Sequence, residues 1–331
     1  MDQPAPPSGG PAPGAPVLVS RPRLRTPLVL LLLTMGTTFL TAICHFHPEM
    51  VLGQSFSGPG SLMPLRRAAW ANWEQGLIYA AALLSILMAH EMGHFVATVI
   101  YRIPASLPYF LLLPLLAGTL GAVIAMDGRQ ADRRQIFDIG IAGPLAGLVI
   151  ALPVMWAGVQ QLDFATPRAL GGMELDVPLL ARWMMQLHDP ATSSEPVFIG
   201  HMQGNPLFMA GWFGLLITGL NMMPVSQLDG GHVIHSLFGL RARLIARSFI
   251  ACAVVYLLLA PNPEAPGFTA RTNGWWLMLV LILLIGPDHP PTRDDTVDIG
   301  WFRRSLGFAS LTIPVLCFPL RGIILWTPNL G

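Results

Sequence analysis

Charge is what this 331-residue chain has least of: Asp, Glu, Arg and Lys together make up 11%, against about 25% in an ordinary soluble domain. Lysine is absent, so all nineteen basic residues are Arg, and eighteen acids leave a net charge of +1. Neither a basic face for nucleic acid nor an acidic tail is on offer. Cysteine is scarce too. Cys44, Cys252 and Cys317 lie far apart in or beside apolar runs, with neither zinc-ligand spacing nor a disulfide framework, and they read as small packing residues. Internal repeats, heptads and an appended soluble domain are also missing. These absences count against a soluble enzyme, a secreted disulfide scaffold and a nucleic-acid binder.

What is present is apolar surface: 53% of the residues are hydrophobic and the mean hydropathy is +0.57. Residues 1–26, rich in Pro, Gly, Ala and Ser, cannot bury a core and read as a disordered cytoplasmic tail. The apolar run that follows starts too late, and lacks the cleavage site, for a signal peptide. It reads instead as a retained membrane helix over 27–43. A spanning helix needs about 20 mostly apolar residues, and 76–101, 136–159, 205–227, 248–260, 274–286 and 305–320 approach that length, the last three being short. The stretch 108–126 is interrupted by Pro114, Gly118 and Gly121, so it crosses or dips in and returns. The fold class expected is an all-α polytopic membrane protein of about six to seven transmembrane helices with a re-entrant, β-hairpin-like loop. The chain divides into the tail (1–26), a first helix and outside loop (27–75), a core (76–235) and C-terminal helices (236–331). The outside loop over about 160–204 could hold a short amphipathic element.

Arginine sets the orientation. With the tail inside and 108–126 not crossing, thirteen Arg fall on the cytoplasmic side and six outside, as the positive-inside rule requires.

Ionisable residues inside an apolar span are expensive and are functional candidates by default. The span 76–101 holds three within five positions, His90-Glu91-Met92-Gly93-His94. Residues four apart share a helix face, so two imidazoles can grip one zinc ion while the glutamate between them reaches the water that the ion activates. A zinc site needs a third protein ligand. The best candidate is Asp229, in Asn221-Met222-Met223-Pro224-Val225-Ser226-Gln227-Leu228-Asp229-Gly230-Gly231-His232. Glu91 precedes Arg102 by eleven residues, roughly 16 Å of helix, and Asp229 reaches that depth only after an even number of crossings. With 136–159 and 205–227 as the intervening spans the count is two, which makes 108–126 re-entrant and agrees with the Arg distribution. Asn221 is placed to hydrogen-bond an oxyanion or a substrate backbone, or simply to pack helices. Pro224 is a break that turns the loop toward the metal, or a plain helix stop. His232 and His235 read as hydrogen-bonding histidines rather than rival ligands. His45, His47, His188, His201 and His289 read as solvated loop residues, and Arg129 with Asp132 as an interfacial polar pair.

The pair His90-Glu91-x-Gly93-His94 and Asn221-x-x-Pro224-x-x-x-x-Asp229-Gly230 resembles the signature of the site-2 protease family of intramembrane zinc metalloproteases. Phe137-Asp138-Ile139-Gly140-Ile141-Ala142-Gly143-Pro144 resembles that family's central helix. Around Gly211-Trp212 and Gln227-Leu228-Asp229-Gly230-Gly231 the chain is similar to the compact bacterial and plastid branch, without the PDZ insertion of other bacterial members. The resemblance implies one zinc ion held by His90, His94 and Asp229, Glu91 as general base and Asn221 as oxyanion donor. It also implies a strand over Gly118–Ile124 that receives the substrate by strand addition. Single-pass membrane proteins would be the substrates, in the lipid bilayer and after trimming by a site-1-type protease. Compactness and the lack of an organelle-targeting pattern point to a bacterial inner membrane. A non-catalytic scaffold that binds transmembrane helices is the alternative, and intact ligands count against it; a transporter would predict repeat symmetry between halves, and none is seen.

Overall fold

The computed structural model describes residues 24–56, 61–113, 117–163, 173–190, 198–200, 203–225, 227–259, 264–265, 268–271, 275, 279–280, 282–283, 286 and 289–328. Residues 1–23 of the tail, Pro114, His201 and most of the expected span 274–286 lie outside them. The protein is mostly helical. Among the described residues, four helical stretches are long and apolar enough to cross a membrane: α1 (Arg25–Ile43), α3 (Met63–Ile100), α4 (Arg133–Val159), and α7 (Asp229–Phe238) running through a 3-10 turn into α8 (Ala242–Leu259). Shorter helices are α2 (Pro48–Phe56), α5 (Leu179–His188), α6 (Pro206–Asn221), α9 (Gly300–Ser310) and α10 (Ile313–Cys317).

Local chemistry sets the ends of these elements. Asp132 caps α4, its Oδ1 accepting the N–H groups of Arg134 and Gln135 at 2.9 Å while Gln135 Oε1 accepts the Asp132 N–H. This reciprocal pair satisfies donors that a bare helix start would leave open. Asn205 caps α6 in the same way, taking the Phe208 N–H at 2.9 Å, and its amide donates to Gly158 O at the end of α4. Ser310 ends α9, and two turn residues separate it from α10 with its early Pro314. The apolar run 305–320 is therefore two short helices, not a span. Asp132 pairs with Arg293, and Arg129 gives its backbone N–H to Asp127, so the expected Arg129–Asp132 pair does not form.

α3, α4 and α6 pack as the core, with Leu83, Phe137, Met155, Phe208 and Trp212 fully buried. Lipid is as apolar as these side chains, so close packing rather than exclusion from water must hold such helices together. Gly93 shows how close: a Cβ there would fall 2.8 Å from the carbonyl carbon of Ala142 on α4 and nearer still to its oxygen. Near its start α3 leaves helical geometry at Asn72, whose side-chain amide donates to Ile43 O at the end of α1. Trp70 and Trp73, beside this kink, are exposed.

Two sheets accompany the helices: the first falls where the β-hairpin-like loop was expected, and the second is an addition to the expected all-α fold. In the first, β1 (Tyr109–Leu112) pairs antiparallel with β2 (Thr119–Val123), and an Ala105–Met126 bridge joins the two ends of the hairpin. Its tip lies against α1 and α3: Thr37 Oγ1 donates to Gly118 O at 2.7 Å and the Tyr79 hydroxyl to Ala117 O at 2.9 Å. Gly118 has φ +81° and touches the Thr38 backbone, a place only glycine fills without strain. β1 thus lies beside α1, and β2 beside α3. The second sheet is antiparallel in the order β4 (Phe198–Gly200), β3 (Met173–Asp176), β7 (Ile323–Pro328), β6 (Phe268–Arg271), β5 (Glu264–Ala265). The Trp212 indole N–H ties it to the core by donating to Asp176 O at 2.8 Å.

Candidate metal centre

His90 and His94 lie one turn apart on α3, both buried, with their Nε2 atoms 3.2 Å from each other. Asp229, the first residue of α7 and 139 positions downstream of His90, closes the triangle. Its Oδ2 lies 3.1 Å from His90 Nε2 and its Oδ1 3.3 Å from His94 Nε2. The His94 Nδ1–H donates to Ile139 O on α4 at 2.7 Å. That bond holds the ring in the tautomer whose Nε2 lone pair points into the triangle. His90 Nδ1 is buried and has no hydrogen-bond partner among the described residues.

These residues fit a zinc ion. Tetrahedral coordination with bonds of about 2.0–2.1 Å separates neighbouring ligand atoms by about 3.3 Å; the two Nε2 atoms are 3.2 Å apart, each has one oxygen of the Asp229 carboxylate at 3.1 or 3.3 Å, and one ligand atom from each residue lies within 4.8 Å of the others. Two imidazoles and a carboxylate are the donor set zinc accepts at sites that keep one position open. Among the described residues this is the one group of three or more His, Cys, Asp or Glu side chains able to converge on a metal.

A cavity of about 170 Å3 opens on the triangle, lined also by Glu91, Val123, Ile124, Asn221 and His232. Ile124, the residue after β2, lines the cavity beside Glu91, so the hairpin strand runs up to the site. Asn221 is the last residue of α6, and its side-chain amide lies 3.2 Å from His90 Nε2. The structure thus brings His90, Glu91, His94, Asn221 and Asp229 into one place.

One cluster was not foreseen. His289 is half-buried rather than free in solvent: its ring stacks on His235 at 4.2 Å and its Nε2 lies 2.6 Å from His232 Nδ1. Burial, with the neighbouring His232 and His235, pushes the His289 imidazole down to about 3. It is neutral at ordinary pH, with Nδ1–H given to Pro290 O and Nε2 left to accept from His232. His235 in turn meets Asp295 at 2.9 Å. Polar density was the available signal, because residues 289–304, HPPTRDDTVDIGWFRR, hold six charges in a chain with few of them.

Four helices long and apolar enough to cross a membrane, an H-E-x-x-H helix, a carboxylate as third candidate ligand and an adjoining strand are the arrangement of a membrane metallopeptidase family. The family follows from comparison: Peptidase family M50 matches residues 78–260, more than half of the chain and all five of these residues, and the protein belongs to that family. It is 30% identical over 303 residues to the probable zinc metalloprotease EGY1, chloroplastic, of Arabidopsis thaliana, covering 87% of this chain and 52% of that protein. To EGY1 of Oryza sativa subsp. japonica it is 30% identical over 258 residues, 76% of this chain and 41% of the relative. For the probable zinc metalloprotease EGY2, chloroplastic, of Arabidopsis thaliana the figures are 28%, 74% and 42%. The chain spans about half the length, or somewhat less, of these curated relatives.

Proposed function

We propose that the protein is an intramembrane zinc endopeptidase that hydrolyses peptide bonds in or near the transmembrane segment of single-pass membrane proteins. The observation that carries this reading is the convergence of His90, His94 and Asp229 beside Glu91 in a buried cavity. His90, His94 and Asp229 would hold zinc, which when bound supplies a Lewis acid that makes water nucleophilic near neutral pH and polarises the scissile carbonyl. Glu91 takes the proton of the attacking water and passes it to the leaving amine. Asn221 donates to the carbonyl oxygen as negative charge gathers there.

A transmembrane substrate arrives as a helix with its backbone bonds satisfied, and it must open before it can be cut. β2 pairs with β1 on one side, and its other side, which leads into the cavity at Val123 and Ile124, offers replacement bonds by strand addition. In a bilayer the returning segment 108–126 is re-entrant. The Arg asymmetry supports an orientation with residues 1–26 in the cytoplasm of a bacterial cell and the cut toward that face. The plant relatives are named chloroplastic, and that location is theirs. Prior trimming by a site-1-type protease would supply short-ectodomain substrates.

The test reconstitutes the wild type and Glu91→Gln in proteoliposomes with a panel of single-pass substrates and maps the products by mass. The wild type is expected to cleave and Glu91→Gln to be inactive, with one zinc per chain in both. Undiminished cleavage by Glu91→Gln overturns the assignment of the base, and a wild type without zinc overturns the whole reading.

A further inference from the structure

Residues 289–304 lie beyond the family match, yet they lie across the beginning of α4 and the length of α7. Backbone bonds join them to α4: the Arg293 N–H donates to Ala131 O at 2.9 Å and the Arg133 N–H to Asp294 O at 3.1 Å. The Arg133 guanidinium donates to Ser236 O and Leu237 O, the last carbonyls of α7, and to Asp295 O. His289 holds His232 and Asp295 holds His235, one and two turns after the ligand Asp229. On α4, the Arg303 guanidinium grips both oxygens of Asp138, Nε–Oδ1 at 2.7 Å and Nη2–Oδ2 at 2.8 Å, and the Tyr101 hydroxyl at the end of α3 joins the same carboxylate. Asp138 adjoins Ile139, whose carbonyl orients His94.

The ligands arrive on two separate stretches of chain, α3 and α7, and each Nε2 meets one oxygen of the Asp229 carboxylate at 3.1 or 3.3 Å. Metal–ligand distances tolerate only about 0.2 Å of error. α7 is ten residues long, too short to stand as an independent helix, so neighbours must hold it. We infer that residues 289–303 form a positioning strap for the metal centre, in which Arg303 sets α4, and through Ile139 the His94 ring, while His289 and Asp295 set α7 and so the Asp229 carboxylate. The bidentate Arg303–Asp138 pair is the specific element, because two parallel bonds fix orientation as well as distance. Arg303 and His289 touch neither the ligand atoms nor the substrate cavity; they act through Asp138 and His232. The inference rests on the zinc-site reading above.

The test measures zinc affinity of the full chain by competition with a chromophoric chelator, and the visible spectrum of the cobalt-substituted protein, for the wild type, Arg303→Met, Arg303→Lys, His289→Ala and Arg304→Met. Arg304 pairs with exposed Asp298 and should give wild-type values. Arg303→Met and His289→Ala should each weaken zinc about 10- to 100-fold, the usual cost of removing a partner behind a ligand, and alter the cobalt spectrum, with Arg303→Lys intermediate. Should Arg303→Met not be recovered folded, Arg303→Lys and His289→Ala carry the test. Wild-type affinity and an unchanged spectrum in the folded Arg303 and His289 variants overturn the strap. Failure of the wild type itself to bind zinc overturns the metal site instead, so the two failures are distinct.

Discussion

Replacing Gly143 by Ala puts one methyl group where the His94 ring already is. A Cβ on Gly143 would lie 2.5 Å from His94 Cδ2 and nearer still to Nε2 and Cε1, where carbon contacts prefer about 3.5–4.0 Å. The ring has to move by about 1 Å to relieve this, several times the roughly 0.2 Å that metal ligation allows. It has little freedom to do so, being bonded through Nδ1 to Ile139 O on the same helix as Gly143, while Gly93 holds α3 hard against α4. The expected loss of zinc affinity is at least about 10- to 100-fold, or about 1.4–2.7 kcal/mol, with cleavage falling in parallel. Graded controls isolate the cause. Gly147→Ala meets His90 Cβ and Nδ1 at 3.2 Å, a shift of a few tenths of an ångström, and should cost about threefold or less in affinity. Gly36→Ala meets nothing within 4 Å and should match the wild type. Chelator competition on purified protein reads the affinity, and circular dichroism reads whether the helices are intact. A folded Gly143→Ala protein with wild-type zinc affinity would refute the argument, because it would mean that His94 does not pack against that glycine while holding metal.

Two further perturbations follow from the same geometry. Asn221→Ala should keep zinc but lower kcat about 10²- to 10³-fold, the usual loss on removing one oxyanion donor; an unchanged kcat would reduce Asn221 to a packing residue. Tyr79→Phe strips the hydroxyl from the buried Ala117 carbonyl at the hairpin tip, at a cost of about 1–3 kcal/mol, and amide exchange in β1 and β2 should accelerate about tenfold or more while that of α4 does not change. Equal exchange in the variant and the wild type would mean that the tip is held by α1 alone.

Much of the centre was legible because its rules are local or topological. The four-residue spacing of His90 and His94 is a property of any helix, and the parity of crossings required Asp229 to return to the same depth. The hairpin was legible from Gly118 and Gly121, which interrupt an otherwise spanning run. The five-stranded sheet was not, because its pairings are remote: Leu175 of β3 meets Ile323 of β7, and strands of two to six residues carry almost no periodic signal. His289 was misjudged for a related reason. A histidine next to prolines looks like a solvated loop residue until a partner on another helix is known, and His232 lies 57 positions upstream. The place of Gly143 against the His94 ring was not legible, since no spacing rule says that a glycine of α4 faces a ligand ring.

The kink at Asn72 bears on what a cut would leave behind. Tryptophans favour the boundary between lipid and water, so Trp70 and Trp73 anchor one end of α3 there. From Asn72 to His90 is about 27 Å of helix, and from His90 to Ile100 only about 15 Å. On the proposed orientation the chemistry would therefore be off-centre, nearer the cytoplasmic rim. On the proposed activity, the fragment leaving through that rim would keep only a brief greasy stub and could dissolve, whereas the remainder would retain enough apolar length to stay embedded. Asymmetric placement of this kind turns one hydrolysis into a one-way release.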